Sequence, residues 1–98
     1  MSYRFEAQLW RWQGDAPASW VFITLPADVA FGIRCAVQDR AKAFGSVRVT
    51  ARIGATLWTT SLFPDKRSGS YLLPVKAAVR RAENLHDGDM VSVDLTVV

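Results

Sequence analysis

The chain carries one cysteine and one histidine, and that scarcity removes whole classes of chemistry. Cys35 alone makes no intramolecular disulfide, so the fold needs no covalent staple and a reducing compartment suits it. One His and one Cys provide no metal-ligand spacing. No apolar run approaches the roughly 20 residues that span a bilayer. The opening Met1-Ser2-Tyr3-Arg4-Phe5-Glu6 places charges where a signal peptide needs an apolar core. A cytoplasmic protein without membrane association is expected. No glycine-rich phosphate motif follows a strand, so no nucleotide cofactor, and no other, is expected.

What remains is a small globular chain. Its 98 residues make one domain, 1–98, with no room for a second core. Half the residues are hydrophobic and 21% are charged, a folding rather than a disordered composition. The net charge of +3 is mild and tolerates an anionic partner without demanding one.

Residues 3–12 alternate in the strand period, with Tyr3, Phe5, Ala7 and Leu9 on one face and Trp10 and Trp12 on the polar one. Gln13 to Pro17 is a turn cluster. Trp20 to Leu25 is nearly continuously apolar and predicts a strand covered on both faces. Pro26 stops it and suits a helix start, and Val29, Ile33 and Val37 make a helical stripe. Asp39 to Ala43 reads as polar connector, broken by Gly45-Ser46. Val47, Val49, Ala51 and Ile53 form a half-exposed strand, Gly54 a tight turn, and Ala55 to Phe63 the partner strand. Pro64 to Ser70 has the composition of a mobile loop. After Tyr71-Leu72-Leu73, Pro74 opens a second helix with Val75, Val79 and Ala82 inward. Asp87-Gly88 then turns into a closing strand from Met90 to Val98.

Each half therefore reads strand, strand, Pro-started helix, strand, over about 3–53 and 55–98. Sliding one onto the other by 48 positions (73 − 25) superposes Leu25-Pro26 on Leu73-Pro74 and Leu9-Trp10 on Leu57-Trp58. The register then slips to 43, pairing Gly45 with Gly88. A duplicated unit buries its apolar face against its twin. The fold expected is mainly β with two short helices: a six-stranded, double-split, pseudo-twofold β-barrel capped by helices, its closure removing free strand edges.

Leu-Pro, a short helix ending Val79-Arg80-Arg81, then Leu85-x-x-Gly88-Asp89 and a valine-rich strand resembles the half-barrel of AbrB/MazE-type proteins. Those interleave two chains and include DNA binders, a point of fold-level analogy. Further residues carry a closer likeness: Trp20…Leu25-Pro26, Val47-Arg48-Val49, Thr60-Ser61-Leu62, Tyr71 to Lys76, Val79-Arg80 and Gly88-Asp89. This spread is similar to a bacterial family of unknown function, number nineteen hundred and five in the catalogue of such domains. That resemblance implies a double-split barrel over essentially the whole chain and brings no activity, ligand or catalytic residue.

From Lys66 through Arg81 stand five cations, Lys66, Arg67, Lys76, Arg80 and Arg81, and no acid. They outline an anion site using N–H groups after Pro74 and backbone exposed at Gly69. The plainer reading is that Arg80 and Arg81 complement a helix C-terminus while Lys66 and Arg67 solubilise a loop. Trp12, with Trp10, Arg4 and Arg11, offers an aromatic-basic ridge for bases or a protein. The packing alternative puts Trp10 and Trp58 against the capping helices and Trp20 in the core. His86-Asp87-Gly88-Asp89 reads as a turn rather than an acid-oriented base, and Cys35 as a buried small hydrophobe.

No catalytic residue emerges. The sequence predicts a non-catalytic binding domain taking an anionic ligand or nucleic acid on the 66–81 patch. The alternative is a protein-interaction or scaffold domain using the Trp12 side or a barrel edge. A monomer is expected, since a duplicated chain closes its barrel without a second copy.

Overall fold

The computed structural model describes residues 2–12, 20–38 and 45–98; the turn cluster at 13–17 and the connector at 39–43 lie outside them. Its elements are β1 (Ser2–Trp12), β2 (Trp20–Thr24), α1 (Ala27–Val37), β3 (Val47–Ile53), β4 (Thr56–Asp65), β5 (Ser70–Pro74), α2 (Ala77–Ala82) and β6 (Met90–Val97). The strands close into an antiparallel barrel in the order β1-β2-β5-β4-β3-β6. Six strands of one chain complete the ring, without the interleaving that the AbrB-type resemblance implies. Among the described residues, no helix is long and apolar enough to cross a membrane.

Period-2 patterning decides which face turns inward. Phe5, Ala7 and Leu9 of β1, Val49, Ala51 and Ile53 of β3, and Val91, Val93 and Leu95 of β6 are all buried. The strand β2 departs from its predicted two-sided cover: Val21, Ile23 and Leu25 are buried, while Phe22 and Thr24 are half-buried and Trp20 is exposed. One core contains these side chains together with Ile33 and Val37 of α1 and Val79 of α2. Ala82, expected inward, is exposed, because α2 is a six-residue helix whose single buried residue is Val79.

The second proline does not open a helix. Pro74 ends β5 opposite Phe22, and α2 starts at Ala77. The Leu25 N–H bonds the Tyr71 C=O and the Val75 N–H bonds the Val21 C=O, so alternation leaves Phe22 and Pro74 a non-hydrogen-bonded pair. Proline's missing donor costs that ladder nothing.

Exchanging β1, β2 and β3 with β4, β5 and β6 leaves the ring of neighbours unchanged. The dyad's register differs from the 48-residue slide. The two cross-strand bonds just named map onto each other by 50 positions (75 − 25 and 71 − 21). Trp10 lies opposite Phe22 and Phe63 opposite Leu72, so β1 maps onto β4 by 53. The chance identity Leu9/Leu57 pairs opposite faces, 1% against 66% exposed. Leu9 instead corresponds to buried Leu62. Because β2 and β5 run antiparallel, the helices that follow them leave from opposite ends of the barrel.

The segment at 64–70, expected as a mobile loop, is the end of β4, a tight four-residue turn from Lys66 to Gly69, and the first residue of β5. Asp65 Oδ2 accepts from the Ser68 backbone N–H (3.2 Å) and hydroxyl (2.7 Å), while Gly69 N–H bonds the Asp65 C=O with Gly69 at φ 71°. The Ser68 hydroxyl holds the Asp65 carboxyl below its ordinary pKa. The buried Ser70 hydroxyl donates to the Leu25 C=O at 2.8 Å and ties the turn to the end of β2.

At the other end, Asn84 at φ 54° closes α2, with the Leu85 N–H reaching the Arg80 C=O at 2.8 Å. The next-door Glu83 accepts from Thr56 Oγ1 at 2.6 Å and lies over Gly54, which is at φ 58°. A Cβ on Gly54 would collide with that carboxylate. Gly54→Ala is therefore expected to destabilise the fold by about 1–3 kcal/mol, read by urea denaturation. A change below about 0.5 kcal/mol would show that neither the backbone angle nor the Glu83 contact matters.

Candidate functional site

The strands β4 and β5 pair from Phe63↔Leu72 to Asp65↔Ser70. Towards its start, β4 stays with β3 while β5 follows β2. The wall parts there, and α2 leaves β5 beside the gap. The result is a cleft of about 290 Å³ whose walls include Trp20, Trp58, Thr60, Pro74, Lys76 and Arg80. Among the described residues, no carboxylate lines it.

Local geometry prepares both cations. Lys76 is exposed on the extended residue before α2; its C=O accepts from the Val79 and Arg80 N–H groups, and its ammonium makes no hydrogen bond or ion pair to a described residue. The half-buried Arg80 donates Nε–H to the Val75 C=O at 3.1 Å, which fixes the guanidinium plane and leaves its terminal nitrogens without partners among the described residues. Arg80 also borders a second, more open hollow with Arg81, Asn84 and His86. Glu83, the nearest acid in sequence, is occupied by Thr56.

The pseudo-dyad sharpens this picture. Fifty positions before Lys76 and Arg80 stand Pro26 and Ala30, and Ala30 is on the buried face of the 11-residue helix α1. That end of the barrel is plugged by Ala30, Ile33 and Val37. The α2 end keeps one plug residue, Val79, and puts Lys76 and Arg80 at the positions that Pro26 and Ala30 hold at the other end. The pseudo-twofold barrel departs from its own symmetry at the cleft.

The structure does not gather all five predicted cations. Lys66 and Arg67 sit on the β4–β5 turn at one end of β5; Lys76, Arg80 and Arg81 follow its other end. Five residues of strand at about 3.3 Å each separate the two groups by roughly 17 Å. Arg34 of α1 joins the Lys66 end, donating to the Gly69 C=O at 3.1 Å with its guanidinium over the Tyr71 ring. Arg48 and Arg52 point outward from β3, one strand beyond β4, with Arg48 opposite Ser61.

The decisive comparison is with a family model. The model described as Domain of unknown function (DUF1905) matches residues 5–95. The chain belongs to that family. No curated protein matches it. In this DUF1905 domain the matched span includes both helices and every side chain named at the cleft.

The tryptophans fall differently from their predicted packing. Trp20 is 50% exposed rather than core, opposite Trp12 at 43%. Trp10 packs on Phe22, with ring centres 5.4 Å apart, and its Nε1–H bonds Thr24 Oγ1 at 2.9 Å; it touches strand neighbours rather than a helix. Trp58 is buried, and its dyad partner is Phe5, 53 positions earlier, not Trp10. The apolar run at 20–25 hid this, because both faces of that strand carry apolar residues and no polar alternation marks the outside. Cys35 is exposed on α1 rather than buried, since Ile33 and Val37 occupy the inward stripe. His86 lies in a turn, its backbone N–H bonded to Asp89 Oδ2 at 2.8 Å. No three potential ligands for a metal cluster together among the described residues.

Proposed function

We propose that this domain is a non-catalytic binding module that takes an anionic group in the cleft beside α2, on Lys76 and Arg80. One observation carries the reading: where the barrel breaks its pseudo-twofold symmetry, two cations with no acid partner among the described residues face a cleft walled by two tryptophans. A guanidinium fixed through Nε and a free ammonium suit a multidentate anion such as phosphate or carboxylate. Arg81 borders the adjoining hollow and adds field rather than contact, and Lys66 and Arg67 belong to a separate cluster.

Inorganic tripolyphosphate, titrated at low salt and followed by tryptophan fluorescence, tests this. The wild type should bind. Lys76→Ala and Arg80→Ala should each weaken binding by about tenfold, the effect of losing one charge-assisted contact. No binding, or binding indifferent to both substitutions, would reject the site.

A further inference from the structure

The exterior of the barrel is divided. Outside β6 and β3 the side chains are mostly polar, Ser92, Asp94, Thr96, Arg48, Thr50 and Arg52 beside an exposed Met90, with Asp94 paired to Arg4 of β1 at 2.7 Å. Where β1, β2, β5 and β4 pair furthest from β6 and β3, three successive outer rows are rich in aromatic and apolar residues: Trp12–Trp20, then Trp10–Phe22–Pro74, then Thr24–Leu72–Phe63. Each row shares one face because directly paired residues of antiparallel strands point the same way. Rows two residues apart lie about 6.6 Å from one another.

This face is not a closed layer. Phe63 is 48% exposed and the Trp12–Trp20 row is open to a similar degree, while Trp20 is stacked parallel to Phe22 at 6.2 Å. The first row runs directly into the cleft, whose lining Trp20 shares with Lys76. Beyond the third row lies the turn that carries Lys66 and Arg67. The cations that the chain separates by roughly 17 Å thus bracket the aromatic rows at both ends of β5.

We infer that the ligand is a single-stranded nucleic acid lying along β5. Its phosphates meet Lys76 and Arg80 at one end and Lys66 and Arg67 at the other, and its bases stack on Trp12, Trp20 and Phe63. The inference rests on the anion-site reading above and adds the class of ligand. A small anion would use the cleft alone and would leave the aromatic rows and the second cation pair without a role. A strand of alternating flat bases and phosphates matches the observed order of cations, rings and cations. A duplex keeps its bases stacked on one another and so offers no base faces to these rings.

A fluorescein-labelled oligothymidylate of about 12 nucleotides, within the site sizes of single β-barrels, is the probe. The wild type should bind it, with log K falling against log salt by about 0.7 for each phosphate neutralised. Trp12→Ala and Trp20→Ala should each weaken binding by about 5- to 150-fold, the loss of one stacked base. Both positions are surface sites, and circular dichroism melting checks that the variants stay folded. Lys76→Ala with Arg80→Ala should reduce the salt slope by about 1.4. Tripolyphosphate that binds as tightly as the oligonucleotide, with the Trp variants silent, would overturn the nucleic-acid assignment and leave the anion site standing. Preference for duplex over single strand would overturn it as well. So would sedimentation showing a dimer that Trp20→Ala dissociates, since the face would then belong to a second copy. Failure of every anion would remove both readings together.

Discussion

Replacing Trp58 with alanine is expected to lower the unfolding free energy by about 3–5 kcal/mol. The side chain is buried on β4 and its direct partner on β3 is Ala51, itself fully buried. The dyad-related pair is Phe5 on β1 with Val93 on β6. One end of the core thus pairs a large ring with a small residue where the other pairs a medium ring with a medium residue. The volumes compensate, so neither end is loosely filled. Truncating Trp58 leaves a void that Ala51 cannot reach across and joins it to the cleft. Trp20→Ala, at an exposed position in the same cleft, should cost under about 1 kcal/mol. Urea titration of both variants separates them, with the slope checked for constancy. Equal losses from the two would mean that Trp58 is not the core residue its burial indicates.

The second large effect is expected where the dyad crosses the sheet. Ile23 and Leu73 are fully buried, are related by 50 positions, and are each other's partner between β2 and β5. Ile23→Ala and Leu73→Ala should each cost about 2–5 kcal/mol. Cross-strand partners on one face have Cβ atoms about 5 Å apart. The two cavities therefore merge, and the double variant should depart from additivity by at least about 0.5 kcal/mol. A strictly additive double-mutant cycle would show that the two side chains do not abut, and the pairing of the halves through β2 and β5 would be wrong.

The order of elements was legible because it rests on local patterning. Alternation marked β1, β3 and β6, the Val29-Ile33-Val37 stripe marked α1, and Gly54 and Gly88 marked two turns. The same alternation already put Trp10 and Trp12 on the outer face of β1. The candidate site was half legible. Lys76, Arg80 and Trp12 could be named from charge and from the strand period. The cleft could not, since it arises where β4 and β5 stop pairing, a matter of register between strands.

The sequence by itself determined a barrel of two ββαβ units, the inward residues of its regular strands, and a run of cations without an acid from Lys66 to Arg81. Tertiary structure decided three further things. It set the repeat at 53 and 50 positions rather than 48, because hydrogen-bonded pairing, not chance identity, defines equivalence. It chose the side of β2 that faces inward, because a strand apolar on both faces takes its orientation from its neighbours β1 and β5. It also divided one run of charge between two ends of the barrel, because an extended strand carries its flanking residues about 3.3 Å further apart with every step.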